Sequence, residues 1–201
     1  MDVVESAVAA IRDGQPVVMP TDTVYGLVAM PYRDDPVWRI YRLKQRPETI
    51  PIALLAADIE MLFECVPELL GRSGLVARAL LPGPYTLIFP NPARRFRWLT
   101  GLTPDQIGVR IPELTGDAHQ IVARAGALAA TSANRHRGPD PRRLEDVPEE
   151  IRSNVGAVVD AGELPGVPST VLDFSEVEPK VVREGAVPGR DAIERALAAT
   201  G

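Results

Sequence analysis

Residues 16–30 read Pro-Val-Val-Met-Pro-Thr-Asp-Thr-Val-Tyr-Gly-Leu-Val-Ala-Met. Segments 16–19 and 26–30 are short apolar runs of strand length, and Pro20-Thr21-Asp22-Thr23-Val24-Tyr25 lies between them. Upstream, Val4, Ala7, Val8 and Ile11 fall at i, i+3, i+4 and i+7, one face of a helix that Gly14 can end. Downstream, Asp35 as N-cap and Pro36 in the first turn predict a second helix. The alternation continues along the chain. Strands are expected at 52–56, 86–89, 107–111, 127–131, 157–160, 170–174 and 180–183. Helices are expected at 59–63, 67–80 and 191–199. Strands and helices are interleaved rather than segregated, so the class is α/β with a twisted mixed sheet. No repeat, low-complexity tract or linker interrupts it, and 201 residues correspond to a single domain, 1–201.

The composition narrows the function. Hydrophobic residues make up 45% and charged residues 24%, values that exclude wholesale disorder. The net charge of −5 sets a primary nucleic-acid-coating role behind other readings. Cys65 is alone, which removes any internal disulfide or Cys-based zinc site and favours a reducing, cytoplasmic setting. Asp2 and Glu5 near the start do not make a signal peptide. The longest apolar run, 50–57, falls far short of the ~20 residues of a membrane helix.

Several familiar sites are missing: there is no G-x-x-x-x-G-K-[ST] loop, G-x-G-x-x-G fingerprint or H-E-x-x-H. His119 and His136 have no metal-site flanks. Other residues carry the signal. Val37, Ile40, Tyr41 and Lys44 share a helix stripe, so Lys44 stands where an apolar residue is expected and should meet an anion or open into a cleft. Arg46 follows just before Pro47. Ile107, Val109 and Ile111 share one strand face, with Gly108 and Arg110 on the other; that arginine wants a planar anion such as a carboxylate. In residues 129–134 a small-residue strand runs out into Ser132 and Asn134, suited to a polar cleft at a strand's carboxyl end or to a plain capping role. Arg94-Arg95-Phe96-Arg97-Trp98 interleaves bases with aromatics, as single-strand RNA binders do.

Together these pieces resemble the YrdC-like family of threonylcarbamoyl-AMP synthases. The resemblance rests on P-T-D-T-V-Y-G-L at 20–27, Lys44-x-Arg46-Pro47, P-G-P-Y-T at 82–86 and G-V-R-I-P at 108–112. It continues with T-S-A-N at 131–134, S-T-V-L-D at 169–173 and R-E-G-A at 183–186. It implies an open twisted mixed α/β sheet with flanking helices and a large basic cavity. It also implies an enzyme that makes threonylcarbamoyl-AMP and pyrophosphate from L-threonine, bicarbonate or CO₂, and ATP. The product serves tRNA threonylcarbamoyladenosine modification through downstream transfer proteins, with tRNA met only indirectly and no membrane partner. By the same resemblance Lys44 and Arg46 are catalytic, and Arg46, Ser132, Asn134 and Arg183 bind ATP. Thr23, Tyr25, Arg110 and Ser169 bind threonine. No protein metal site is implied; Mg²⁺ arrives with ATP.

The sequence departs from the family pattern at Leu55, where a polar residue is common, in the loop Arg135-His136-Arg137-Gly138, and at Asp140. A specialised paralogue acting on another acceptor therefore stands as an alternative, with an RNA-binding module behind it. The Gly/Pro-rich segment 161–168 is expected to be a lid that orders over bound substrates.

Overall fold

The computed structural model describes residues 2–201. In chain order the elements are α1 (Val3–Arg12), β1 (Val17–Pro20), β2 (Tyr25–Ala29), α2 (Asp34–Lys44), β3 (Ala53–Leu55), α3 (Ile59–Cys65), α4 (Gly71–Leu80) and β4 (Tyr85–Pro90). There follow β5 (Gln106–Arg110), α5 (Gly116–Ala125), β6 (Leu128–Ser132), α6 (Glu149–Arg152), β7 (Ala157–Val158), β8 (Thr170–Asp173), β9 (Lys180–Arg183) and α7 (Gly189–Ala198). Most boundaries move by a residue or two from the sequence expectations, and one moves by four. The second helix starts at Asp34 with Arg33 as N-cap, and α4 begins at Gly71 rather than at 67. Helix α5 was not expected, although Ala118, Ile121, Val122 and Ala125 carry its i, i+3, i+4, i+7 stripe.

The nine strands form one sheet in the order β7-β1-β2-β6-β3-β5-β4-β8-β9. It is mixed: β1–β2, β2–β6, β3–β6, β4–β5 and β8–β9 are antiparallel, while β1–β7, β3–β5 and β4–β8 are parallel. Strand alternation sorts side chains onto two faces. Leu27, Leu54, Leu87, Phe89, Val109 and Leu172 join one core with residues of α2, α3, α4, α6 and α7. Val17, Met19, Val28, Leu55, Leu128 and Ala130 join a second core with α1 and α5.

The two faces are covered unequally, and that creates the site. α1 and α5 close the second face over β1, β2 and β6. Further along the sheet, Gln106, Gly108 and Arg110 of β5, Thr86 and Ile88 of β4, and Val171 and Asp173 of β8 look instead into a cavity. Their strand neighbours Ile107, Val109, Leu87 and Leu172 are buried in the first core, each contributing about 1.5–3 kcal/mol of burial. Burial on that side fixes the register that turns the polar alternates into the cavity. Among the described residues no helix is long and apolar enough to cross a membrane.

Candidate active site

The cavity has a volume of about 710 Å³, within the roughly 300–1,000 Å³ of small-molecule sites. Its floor is the open face of β3, β5, β4 and β8. Its walls come from the β1–β2 turn, the segment after α2, the end of β6 and the β8–β9 pair. Three arginines line it, Arg46, Arg110 and Arg183, against two aspartates, Asp140 and Asp173. Asp173 is largely engaged already, because Oδ1 accepts from Ser175 N at 2.8 Å and Ser175 Oγ at 2.6 Å, and Lys180 Nζ lies 3.6 Å from Oδ2.

Each expected contact residue has a distinct local cause. Thr21 folds the β1–β2 turn by accepting at Oγ1 from Thr23 N and Val24 N (3.3 Å each) and donating to Val24 O at 2.7 Å. That turn sets Thr23 on the cavity wall. Arg110 donates from Nη2 to Asp22 Oδ1 at 2.7 Å and lies 3.4 Å from Thr23 Oγ1. Its Nε is buried with no hydrogen-bond partner among the described residues. Burial outweighs the attraction of Arg110 and raises the pKa of Asp22 above the usual carboxylate value. Ser169 Oγ is 2.9 Å from Thr86 Oγ1, and Arg183 Nη2 donates to Ser169 O at 2.7 Å. Arg46 rests on two backbone carbonyls, donating from Nη2 to Pro51 O at 2.8 Å and from Nε to Ile50 O at 3.5 Å. Thr23, Arg46, Arg110, Ser132, Ser169 and Arg183 therefore converge on one cavity.

Lys44, Asn134 and Tyr25 do not line it. Lys44 is 1% exposed, as its place in the α2 stripe requires. It meets neither an anion nor a cleft. Its Nζ donates to Ser132 O (2.5 Å), Asn134 O (2.7 Å) and Asn134 Oδ1 (2.7 Å), so each N–H of the ammonium has an oxygen. Burial, reinforced by Arg46, pulls its pKa down to about 7. Asn134 extends this frame: Oδ1 also accepts from Ser132 Oγ at 2.7 Å, and Nδ2 donates to Gly138 O at 2.7 Å. Lys44 and Asn134 thus hold the T-S-A-N turn that carries Ser132. Tyr25 belongs to the opposite core, and its hydroxyl donates to Asp160 Oδ1 (2.8 Å) and Gly162 O (2.9 Å).

These bonds also alter the reading of segment 161–168. It is tied down rather than loose: Gly166 N donates to Thr23 O and Leu164 N to Arg142 O, at 2.9 and 2.8 Å. Glu163 pairs with both Arg142 and Arg143. The expected lid segment is thus a strap with anchors on Thr23, Arg142 and Arg143.

The basic–aromatic stretch is partly engaged within the chain, with Arg94 and Arg97 exposed and Arg95, Phe96 and Trp98 half-buried. Arg94 pairs with Asp105, Arg95 grips Glu68 with two bonds, and Trp98 Nε1 donates to Pro31 O. Phe96 packs against Tyr32. Of the departures, Asp140 lines the cavity. Leu55 is fully buried in the second core as the register partner of Arg110. The turn after Asn134 is anchored by His136 N donating to Lys44 O at 2.9 Å. Burial and the nearby Arg46, Arg137 and Lys44 keep the His136 pKa below its ordinary value.

Sequence reasoning missed Asp22, Thr86, Gly108 and Gln106 as parts of the site. Gly108 and Thr86 were visible as members of short motifs, and strand alternation assigns Gly108 to the face of Arg110. Asp22 gave no sign of its partner, which lies 88 residues away.

An open mixed sheet whose uncovered face gathers three arginines and several hydroxyls forms a cavity chemically suited to an anionic small molecule. The chain belongs to the Sua5/YciO/YrdC family: the family profile, described as "Telomere recombination", matches residues 9–185. A threonylcarbamoyl-AMP synthase of Pyrococcus abyssi is 35% identical over 188 residues, covering 90% of this chain and 54% of that protein. One from Halorhodospira halophila is 34% identical, covering 85% of this chain and 89% of its own. The structure of P. abyssi Sua5 complexed with L-threonine superposes with a TM-score of 0.84 at 32% identity, covering 98% of this chain and 57% of that one. The chain thus spans about half the length of the P. abyssi protein.

Proposed function

We propose that this protein is an L-threonylcarbamoyladenylate synthase. The observation that carries the reading is the convergence of Arg46, Arg110 and Arg183, from three separate segments, on one cavity with Thr23, Ser132 and Ser169. Relatives named threonylcarbamoyl-AMP synthase and a threonine-bound neighbour support it.

In this reading the threonine amine adds to CO₂, derived from bicarbonate, and loses a proton to give a carbamate. A carbamate oxygen then attacks the α-phosphorus of ATP, the bond to the β,γ-phosphates breaks, and pyrophosphate leaves. Nucleophile and electrophile are both anionic, so catalysis rests on charge screening and alignment. Arg46 and Arg183 screen the phosphates, with Ser132 as a hydroxyl contact. Arg110 offers its guanidinium to the threonine carboxylate, with Thr23 and Ser169 beside it. Lys44 and Asn134 act on ATP through the turn that carries Ser132, and Tyr25 acts on the threonine side through the strap. Magnesium enters with the nucleotide, since Mg²⁺ is commonly held largely by phosphates and water. The product is passed to proteins that modify tRNA, in the reducing cytoplasm that the lone Cys65 favours.

The test is pyrophosphate release from ATP. It should require L-threonine and bicarbonate together. Release that is independent of either substrate would overturn the proposal. Because Leu55 and Asp140 depart from the family pattern, a panel of other amino acids belongs in the same assay; a different amino acid outpacing threonine would favour the specialised paralogue.

A further inference from the structure

Gly108 has no reason within the protein to be glycine. It lies inside β5, and it is not among the glycines with positive φ. A Cβ added there would come within 4 Å of one atom only, Thr86 Cγ2 at 3.6 Å, an ordinary van der Waals contact. Other glycines differ. A Cβ on Gly185 would fall 2.3 Å from Pro168 O, and one on Gly101 would fall 2.2 Å from Thr49 O. A glycine inside a strand costs about 0.5–1 kcal/mol relative to alanine. Where neither backbone angle nor packing demands it, close approach of a ligand is a recurrent cause.

The surroundings identify which ligand. The bare backbone of Gly108 is part of the cavity floor, with Ile88 opposite it in register on β4. Ala53, on neighbouring β3, also lines the cavity. Arg110 is two residues along the same face, about 6.6 Å away by strand rise. Its buried Nε lacks an acceptor among the described residues. A small molecule that sets an anionic group against the Arg110 guanidinium, which lines the same cavity, lays its body over Gly108.

We propose that Gly108 is a substrate-contact residue that acts through its missing side chain: it leaves the room in which the amino-acid substrate held at Arg110 rests. This proposal rests on the assignment of threonine to the Arg110 end of the cavity. The test is Gly108→Ala in the full chain, read by thermal melting and by calorimetric titration with L-threonine and, separately, with ATP. The variant should melt no lower than the unsubstituted protein. Its affinity for threonine should fall by about tenfold or more, the effect of one misplaced methyl-sized group in a binding pocket. ATP affinity should hold. Unchanged threonine affinity, a loss of ATP affinity instead, or a lower melting temperature would each overturn the proposal. Failure of the unsubstituted chain to bind threonine would overturn the functional reading itself, and that arm reports it independently.

Discussion

Arg110→Lys isolates what the arginine fork contributes beyond its charge. Arg110 spends Nη2 on Asp22 Oδ1 at 2.7 Å and keeps a buried Nε without a partner. A lysine retains the positive charge and can stay paired with Asp22, so the buried ion pair survives. The planar donor fork that grips a carboxylate is lost. A hydrogen bond to a charged group is worth about 1.5–3 kcal/mol, which corresponds to roughly a 10- to 150-fold weaker hold on threonine. Alanine would be a poorer probe, because stripping the partner from a buried Asp22 costs about 3–5 kcal/mol of stability. The assay is a pair of titrations, threonine at saturating ATP and ATP at saturating threonine, beside a melting curve. The threonine requirement should rise while the ATP requirement and the melting temperature hold. An ATP requirement that rises as much as that for threonine would place Arg110 on the wrong substrate.

Three further outcomes are expected. Arg46→Ala should slow turnover about a hundredfold, equivalent to about 3 kcal/mol of lost transition-state stabilisation, without lowering the melting temperature, since its bond to Pro51 O lies at the exposed surface; near-normal turnover would remove it from the reaction. Lys44 holds its proton less tightly when folded (about 7) than at its ordinary value of 10.5. Between those values the unfolded chain keeps a proton that the folded one has released, so this group makes stability rise with pH by up to about 1.4 kcal/mol per unit. Denaturant midpoints at pH 7 and 9.5 should therefore diverge more in the unsubstituted protein than in Lys44→Met, and equal pH dependence would refute the linkage. Glu163→Gln should loosen the strap, so that the amides of Leu164 and Gly166, protected in the unliganded protein, exchange faster; unchanged exchange would show that the Arg142 and Arg143 pairs do not hold it.

Local patterns carried much of this architecture. The helix stripe at Val4, Ala7, Val8 and Ile11 and the alternation of Ile107, Val109 and Ile111 with Gly108 and Arg110 are properties of a few adjacent residues, and the structure keeps both. The insertion of β6 between β2 and β3 was out of reach, because pairing partners such as Leu27 and Thr131 are brought together only by the whole fold. Lys44 shows the limit most clearly. Helical spacing correctly buried it, yet spacing says nothing about what a buried ammonium meets, and the carbonyls of Ser132 and Asn134 lie about ninety residues away. Tyr25 failed for a related reason: it neighbours Thr23 in a short motif, but the strand pleat sends it to the other core, where its hydroxyl holds the strap. Segment 161–168 looked loose because its glycines and prolines are local, whereas its anchors, Thr23 and Arg142, are not.

The proposed reaction joins an amino-acid carbamate to the α-phosphate of ATP within one cavity. Mass spectrometry of the nucleotide fraction tests this most directly, with the protein supplied with ATP, magnesium, L-threonine and ¹³C-bicarbonate. The expected product is an adenylate that carries threonine and one ¹³C carbon, formed together with pyrophosphate and about a hundredfold more slowly in Arg46→Ala. An adenylate of threonine without the labelled carbon, or ATP left intact under these conditions, would contradict it.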